Sequence, residues 1–559
     1  MSYREYYEAW LNNSYFDDAF KKELKSISQD EKEIEDRFFK DLEFGTGGMR
    51  GVIGAGRNRM NKYVIRKASQ GFANYLMGEN TGDLSVVIAH DSRRMSPEFS
   101  LETALVMAAN GIKAYIFDSL RTTPELSYAV RHLGASGGVV VTASHNPPEY
   151  NGYKIYGEDG CQLVPEKADK VVDEVSSIQD YSTIKHMSEQ EAREKDLLVV
   201  LGDDQDTAYV EMIKTHIKRD LDQSIKSDLK IVYSPLHGTG ARAVERVLRE
   251  TGYTGFIPVK EQMVPDSEFS TLRLPNPEEP DAFDMGVEYA KRSDADIIVA
   301  TDPDCDRVGV MVKHEGKYEL LNGNQTGALL VDYVLSSMKE MPKNPVIINT
   351  IVTSTIGEVI ANKYGVGSMS TLTGFKFIGE KIREFEKTGS HTFIMGYEES
   401  YGYLIGTDVR DKDAVVSTMM VAEMAAYYKS QGKSLYERLN EIFEEVGYYL
   451  EDLVAVTMKG KEGMEQIAKI MNHMRNDAPS SFDGTSVKRV LDCQAEGTGL
   501  PKSNVLKYFL EDGSWFAIRP SGTEPKIKFY FSAKSDSKEA VKAKIESLKS
   551  EVAKLVENI

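Results

Sequence analysis

The stretch Asp302-Pro303-Asp304-Cys305-Asp306-Arg307 sets three carboxylates at alternate positions. Clustered carboxylates repel one another unless a cation sits among them, and alternation aims all three at one point if the loop curls. With few ligands and no long acidic loop, Mg²⁺, which keeps open positions for a phosphate oxygen, fits better than an EF-hand Ca²⁺ site. The plain alternative is a solvated acidic turn. A second stretch, Thr142-Ala143-Ser144-His145-Asn146-Pro147-Pro148, presents one hydroxyl on a loop that two prolines stiffen by fixing φ and removing donors. Taken alone it also reads as a turn that merely reverses the chain. A third, Arg519-Pro520-Ser521-Gly522-Thr523-Glu524-Pro525, combines an arginine fork, two hydroxyls and the backbone donors of a glycine turn, a set suited to a phosphate dianion, or else to a simple hairpin turn.

Two weaker signals accompany these. Gly45-Thr46-Gly47-Gly48-Met49-Arg50-Gly51 is either a flexible loop that carries Arg50 to a phosphate or a glycine-rich connector. A helix is expected before it, and Arg50 stands where a dinucleotide fingerprint needs its last glycine, so NAD binding is not supported. Tyr397-Glu398-Glu399-Ser400 pairs two acids that could hold sugar hydroxyls or could be exposed surface glutamates. Gly374 and Gly379 have the separation of a Walker loop, but Glu380 occupies the lysine position.

The elements that must position these residues follow from periodicity. Residues 17–44 read as surface amphipathic helix. Strands at 84–90, 113–117 and 137–141 alternate with helices at 97–110 and 124–133, with Ser96 as N-cap before Pro97 and Gly111 as a stop. Ser144 then lies at a strand end, where open α/β sheets keep their chemistry. The same order returns in a second unit, with strands at 231–234, 256–259 and 296–300 and helices at 241–250 and 283–291. A third unit has helices at 327–338, 356–364 and 377–386 and strands at 346–349, 368–371 and 392–395. Residues 409–446 read as buried helix, its Met419, Met420 and Met424 as core. From 448 onward the order changes to a smaller α+β unit, and 173–206, with weak periodicity, is the candidate linker between the first two units. The expected fold class is α/β: three related α/β sheet domains and a smaller α+β C-terminal domain around a central cleft, divided at 1–204, 205–320, 321–446 and 447–559.

Composition narrows the function classes. At 559 residues the chain exceeds a single core. Three scattered cysteines form neither a CxxC pair nor a disulfide framework, which suits a reducing cytoplasmic setting. The N-terminal residues lack an apolar signal core, and no window reaches the apolar length of a membrane span. A net charge of −19 disfavours nucleic acid or an anionic membrane surface as partner, while leaving room for an anion held by local groups.

TASHNP, DPDCDR, GYEES and RPSGTEP, in that order behind GTGGMRG, resemble the signatures of the α-D-phosphohexomutase family, in its branch of glucose and pentose phosphate mutases. The resemblance spans residues 45 to 530. It implies four domains around one cleft and reversible transfer of a phosphoryl group between the 1- and 6-positions of glucose phosphate, with ribose or mannose phosphates as alternatives. By the same matching, Ser144 is the phosphorylated serine. Asp302, Asp304 and Asp306 bind Mg²⁺ together with a phosphoserine oxygen. Arg50, His145, Lys154 and Arg307 line the reacting phosphate, with Lys154 or His145 as proton acceptor. Lys412 reaches the substrate, Glu398 and Ser400 grip sugar hydroxyls beside the Gly374-Phe375-Lys376 loop, and Arg519, Ser521, Gly522 and Thr523 hold the non-reacting phosphate. Glucose 1,6-bisphosphate is the implied activator and intermediate, and the implied assembly is a monomer or homodimer. Phe375 departs from several relatives, which have histidine or tryptophan there. Outside the family, Asp302-x-Asp304 after an apolar strand would also suit an aspartyl-phosphate phosphatase, and the same fold could serve a non-catalytic sugar-phosphate sensor.

Overall fold

The computed structural model describes residues 1–45, 48–458, 460–521 and 526–559. Its strands form four sheets, and the first three contain one four-strand arrangement. In the first, Ser85–His90 lies between Lys113–Phe117 and Gly137–Val141, parallel to both, and Tyr150–Gly157 runs antiparallel outside Gly137–Val141. In the second, Ile231–Ser234 lies between Phe256–Pro258 and Ile297–Thr301, with Val308–His314 antiparallel outside the latter. In the third, Pro345–Thr350 lies between Gly367–Thr371 and Thr392–Glu398, with Gly402–Ile405 antiparallel outside. Numbered along the chain, the spatial order is 4-3-1-2 in each case. The α/β class and the recurrence of elements are therefore as the sequence predicts.

The central strands form because they are apolar on both faces. Every residue of Gly137–Val141 and Ile297–Thr301 is buried, as parallel strands covered by helices on both sides must be. The fourth sheet differs. It runs antiparallel in the order Tyr448–Thr457, Lys526–Ser535, Trp515–Pro520, Leu506–Leu510, Thr485–Asp492, Ser481–Phe482. Helices Gly460–Asn476 and Lys538–Glu557 share a core with its apolar face. Helix Ala414–Ser430 is buried almost all round, and Met419, Met420 and Met424 are core. No helix among the described residues is long and apolar enough to cross a membrane.

Several expectations are corrected. The helical stretch 17–44 breaks into Asp18–Ser26 and Glu31–Phe38, because Asp17 and Asp30 each cap a new helix by accepting a backbone N–H. The strands Phe44–Gly45 and Gly48–Val52, and not a helix, flank Thr46 and Gly47, which lie outside the described residues. Gly48–Val52 in turn pairs with Tyr150–Gly157, so Arg50 is carried on a sheet strand. The expected linker 173–206 contains Leu198–Leu201, which pairs in parallel with Lys113–Phe117 as the sheet edge. An edge strand with one open side has little periodicity to read. Ser96 is not the N-cap: Met95 takes that place in a left-handed conformation, and the Ser96 hydroxyl donates to Asp91. The strand at 392 continues to Glu398, which is a strand end and not a loop residue.

In each repeated unit the turn from the third to the fourth strand holds a non-glycine residue in the left-handed region: Ser144 at φ 51°, Cys305 at 57° and Tyr401 at 64°. These turns carry the motifs that the sequence singles out.

Close strand packing generates a test. A Cβ at Gly152 would stand 2.3 Å from the Thr142 carbonyl oxygen and 2.9 Å from that of Met49, both backbone atoms. Gly152→Ala is expected to lower stability by about 1–3 kcal/mol, read from urea unfolding, through overpacking of the two strands that flank Ser144 and Arg50.

Candidate active site

Ser144 leaves the buried strand Gly137–Val141 and is itself buried. Its hydroxyl donates to Asp302 Oδ2 at 2.7 Å and lies 3.1 Å from His145 Nδ1. Burial first, then Arg307 and Arg50, pushes the His145 pKa well down. Arg50 faces solvent, and its Nη1 donates to Asn146 Oδ1 at 2.8 Å.

The three acids end a buried strand and converge. One carboxylate oxygen from each of Asp302, Asp304 and Asp306 lies within 4.8 Å of the others. The loop curls because Cys305 is left-handed and because Thr239 donates to the Pro303 carbonyl through its N–H, at 2.8 Å, and its hydroxyl, at 2.9 Å. Asp302 Oδ1 accepts the N–H groups of Asp306 and Arg307. Lys154 Nζ donates to Asp304 Oδ2 at 2.7 Å and to Asp306 Oδ2 at 3.2 Å, and Lys412 Nζ lies 3.1 Å from Asp306 Oδ2. Thr123 donates its hydroxyl to Asp304 and its N–H to the Asp304 carbonyl. Side chains from the first unit and from the segment after the third sheet therefore meet at one loop of the second.

Electrostatics divides the acids. Burial and the neighbouring Asp304 and Asp306 push the Asp302 carboxyl well up. Burial also opposes ionisation of Asp304, yet Lys154 and Thr123 hold its pKa below the usual range. Burial acts likewise on Asp306, which Lys412, Lys154 and Arg307 hold down. Burial opposes the charge of Lys154, which Asp304 and Asp306 retain. Asp304 Oδ1 and Asp306 Oδ1 are buried without a hydrogen-bond donor. Three convergent carboxylates with two orphaned oxygens fit a hard divalent cation.

The third sheet contributes a second group. Arg307 pairs with Glu278 through Nη1; Lys412 also pairs with Asp411 at 3.0 Å. Glu398 is buried and accepts the N–H of Gly374 at 2.8 Å. Burial raises its pKa to about 7, against the pull of Lys412. Glu399 turns away from this group to accept the Thr350 and Thr353 hydroxyls, and Ser400 follows it half-buried. Gly374, at φ 116°, begins helix Phe375–Thr388. Burial, with Arg519 adding to it, lowers the Lys376 pKa to about 8. In the fourth sheet, Arg519 lies half-buried beside Tyr530, and the Ser521 N–H donates to the Lys526 carbonyl at 2.7 Å. The expected site residues Gly522 and Thr523 lie outside the described residues.

Sequence reasoning missed Asp91, Arg93, Thr123 and Thr142, which touch the loops above. The available signal was position: His90-Asp91-Ser92-Arg93 and Thr122-Thr123-Pro124 follow the first two strands of the unit at their carboxyl ends.

Comparison with known proteins decides the family. Models of the phosphoglucomutase/phosphomannomutase family match the chain four times: α/β/α domain I over residues 41–182, domain II over 207–316, domain III over 322–446 and the C-terminal domain over 453–548. The chain belongs to this family. Within the family, the phosphoglucomutase of Staphylococcus haemolyticus is 37% identical over 521 residues, covering 91% of this chain and 93% of its own. That of Staphylococcus aureus strain MSSA476 is 36% identical over 550 residues, covering 94% and 96%. Two solved structures share the family fold. A putative phosphomannomutase from Thermus thermophilus has a TM-score of 0.70 at 24% identity, covering 93% of this chain and 99% of its own. The open form of Paramecium pp63/parafusin has a TM-score of 0.74 at 16% identity, covering 93% and 96%. The four-domain α/β fold and the family expected from the motifs are both confirmed.

Two tests follow from the geometry. A divalent cation added to metal-stripped protein is expected to raise the thermal midpoint, and Asp306→Asn to abolish that rise; an equal rise in the variant would refute the cluster as a cation site. Glu398 binds its proton more tightly folded than unfolded, so its contribution is intact below about pH 4.5 and is lost as pH rises through about 7. Unfolding free energy is expected to fall across that window relative to Glu398→Gln and to run parallel to it outside.

Proposed function

We propose that the chain is a phosphoglucomutase, an isomerase that interconverts glucose 1-phosphate and glucose 6-phosphate through a phosphoserine at Ser144 and a glucose 1,6-bisphosphate intermediate. The observation that carries this is the Ser144 hydroxyl at 2.7 Å from one of three convergent buried carboxylates. The relatives named phosphoglucomutase over nearly the whole chain support it.

In this reading the 6-hydroxyl of glucose 1-phosphate attacks the phosphorus of phosphoserine, and Ser144 Oγ leaves. The bisphosphate turns over in the cleft. Ser144 Oγ then attacks the phosphorus at the 1-position, and glucose 6-phosphate departs. Catalysis of such transfers is mostly positioning and charge neutralisation. Asp302, Asp304, Asp306 and an oxygen on Ser144 would hold Mg²⁺, which supplies positive charge against the phosphoryl oxygens when bound. Arg50, Arg307 and Lys154 neutralise the same group from the protein side. Asp302 Oδ2 accepts the Ser144 hydroxyl at 2.7 Å and His145 Nδ1 lies next at 3.1 Å, so His145 is the nearest base outside the carboxylate cluster, whereas Lys154 is engaged by Asp304 and Asp306.

Glu398 and Ser400, with Lys412, Gly374 and Lys376, are assigned to the sugar. Arg519 and Ser521, with Gly522 and Thr523, are assigned to the phosphate that does not react. Because the bisphosphate presents either phosphate to this clamp in turn, an arginine with two hydroxyl-bearing residues suits the task. The domain division at 1–204, 205–320, 321–446 and 447–559 is part of the same proposal, as is a cytoplasmic setting, which the three free buried cysteines suit.

Ser144→Ala is expected to abolish bisphosphate-primed turnover while leaving unfolding by urea unchanged, and retained turnover would refute the assignment. Phosphate transferred from glucose 1,6-bisphosphate is expected on Ser144 as an acid-stable ester; a hydroxylamine-labile label would mark Asp302 as nucleophile instead. Turnover of glucose 1-phosphate is expected to exceed that of mannose 1-phosphate and ribose 1-phosphate.

A further inference from the structure

Arg93 touches nothing that would place it in the reaction directly, yet its side chain is fully buried against the loop of Ser144. Its Nη2 donates to the carbonyl oxygens of Ser144, at 2.5 Å, and Asn146. Its Nη1 donates to those of Pro147, at 2.7 Å, and Tyr150, at 3.2 Å. One guanidinium therefore gathers four carbonyls from seven consecutive residues. Its Nε lies 3.3 Å from Asp91 Oδ2, and its guanidinium carbon lies 5.0 Å from the ring of Phe269, which belongs to the chain that leads to the second sheet's acids.

Asp91 completes a circuit. It accepts the Arg93 N–H at 2.9 Å, the Ser96 hydroxyl at 2.8 Å and the Thr142 hydroxyl at 2.6 Å. Thr142 Oγ1 accepts the Ser144 N–H at 2.8 Å. Both backbone polar groups of Ser144 thus lead back to the Asp91–Arg93 pair, one through Thr142 and one directly. Ser144 needs such a hold, since a non-glycine residue at φ 51° persists only where its surroundings over-determine it. Lysine could not replace the fork, because its donors radiate from one nitrogen and cannot span four carbonyls.

We propose that Arg93, braced by Asp91, is the positioning residue of the phosphoryl carrier, fixing Ser144 Oγ so that the incoming sugar hydroxyl, the phosphorus and Oγ fall in line. This rests on Ser144 being that carrier. In-line displacement at phosphorus is sensitive to alignment, so a loosened loop slows transfer while sugar binding, made by other loops, persists.

The test uses the full chain, with glucose 1-phosphate as substrate and labelled glucose 1,6-bisphosphate as primer. Arg93→Lys is expected to lower kcat by about 10- to 100-fold with KM little changed. Label should still reach Ser144, and a larger share of it should pass to water than to sugar. Wild-type kcat in folded Arg93→Lys, or a fall in kcat that matches the fall in labelled, folded protein, would overturn the inference. Should Arg93→Lys fail to fold, the near-isosteric Thr142→Val decides: lower kcat at unchanged KM supports the circuit, and unchanged kcat overturns it. Absence of label from wild-type Ser144 removes the carrier reading and this inference together, whereas label on wild type with an unaffected variant removes this inference alone.

Discussion

Three carboxylates crowded into one buried turn are the constraint that the rest of the molecule answers. Their oxygens approach within 4.8 Å, and at that spacing, away from water, full ionisation is unfavourable without nearby positive charge. Lys154 arrives from the first sheet and Lys412 from the segment after the third, while Arg307 follows the acids in sequence. Two orphaned oxygens remain for a cation. The acids thus also tie distant parts of the chain together: Thr123 commits both its hydroxyl and its N–H to Asp304, across 181 positions of chain.

A similar logic governs the group around Glu398. Glu398 is buried with one backbone donor, from Gly374, which ties the acid to the start of the helix that carries Lys376. Burial raises the Glu398 pKa to about 7 and lowers that of Lys376 to about 8, so both groups lie within reach of a charge change near neutral pH.

Much of this was legible in the sequence, for identifiable reasons. Ser144 and Asp302 follow runs of β-branched and small apolar residues that read as buried strands, so their place at strand ends was readable from local pattern. The strand that carries Arg50 was not, because its partner, Tyr150–Gly157, lies a hundred residues away and two of its five residues are glycines with no preference to read. Leu198–Leu201 escaped for a related reason: four apolar residues are too few to show a period, and only pairing with Lys113–Phe117 makes them a strand. Arg93 carried no signal beyond its place after the first strand of the unit. An arginine in a polar loop reads as surface, and the four carbonyls that bury it become neighbours only once the Ser144 loop folds back over it.

The 4-3-1-2 arrangement has a consequence for how such a protein can change. Each of the three units owns one turn at the same place, and in each a left-handed residue lets the backbone reverse there. The units fold on their parallel strands, which leaves these turns free to take different residues. One carries a hydroxyl, one carries three acids, and one follows the strand-end Glu398 and carries Glu399. No single unit brings the hydroxyl, the acids and Glu398 together, since each carries only one of the three. Repetition therefore lets three copies of one scaffold present three different side-chain sets at equivalent places, joined by contacts such as that of Ser144 Oγ with Asp302.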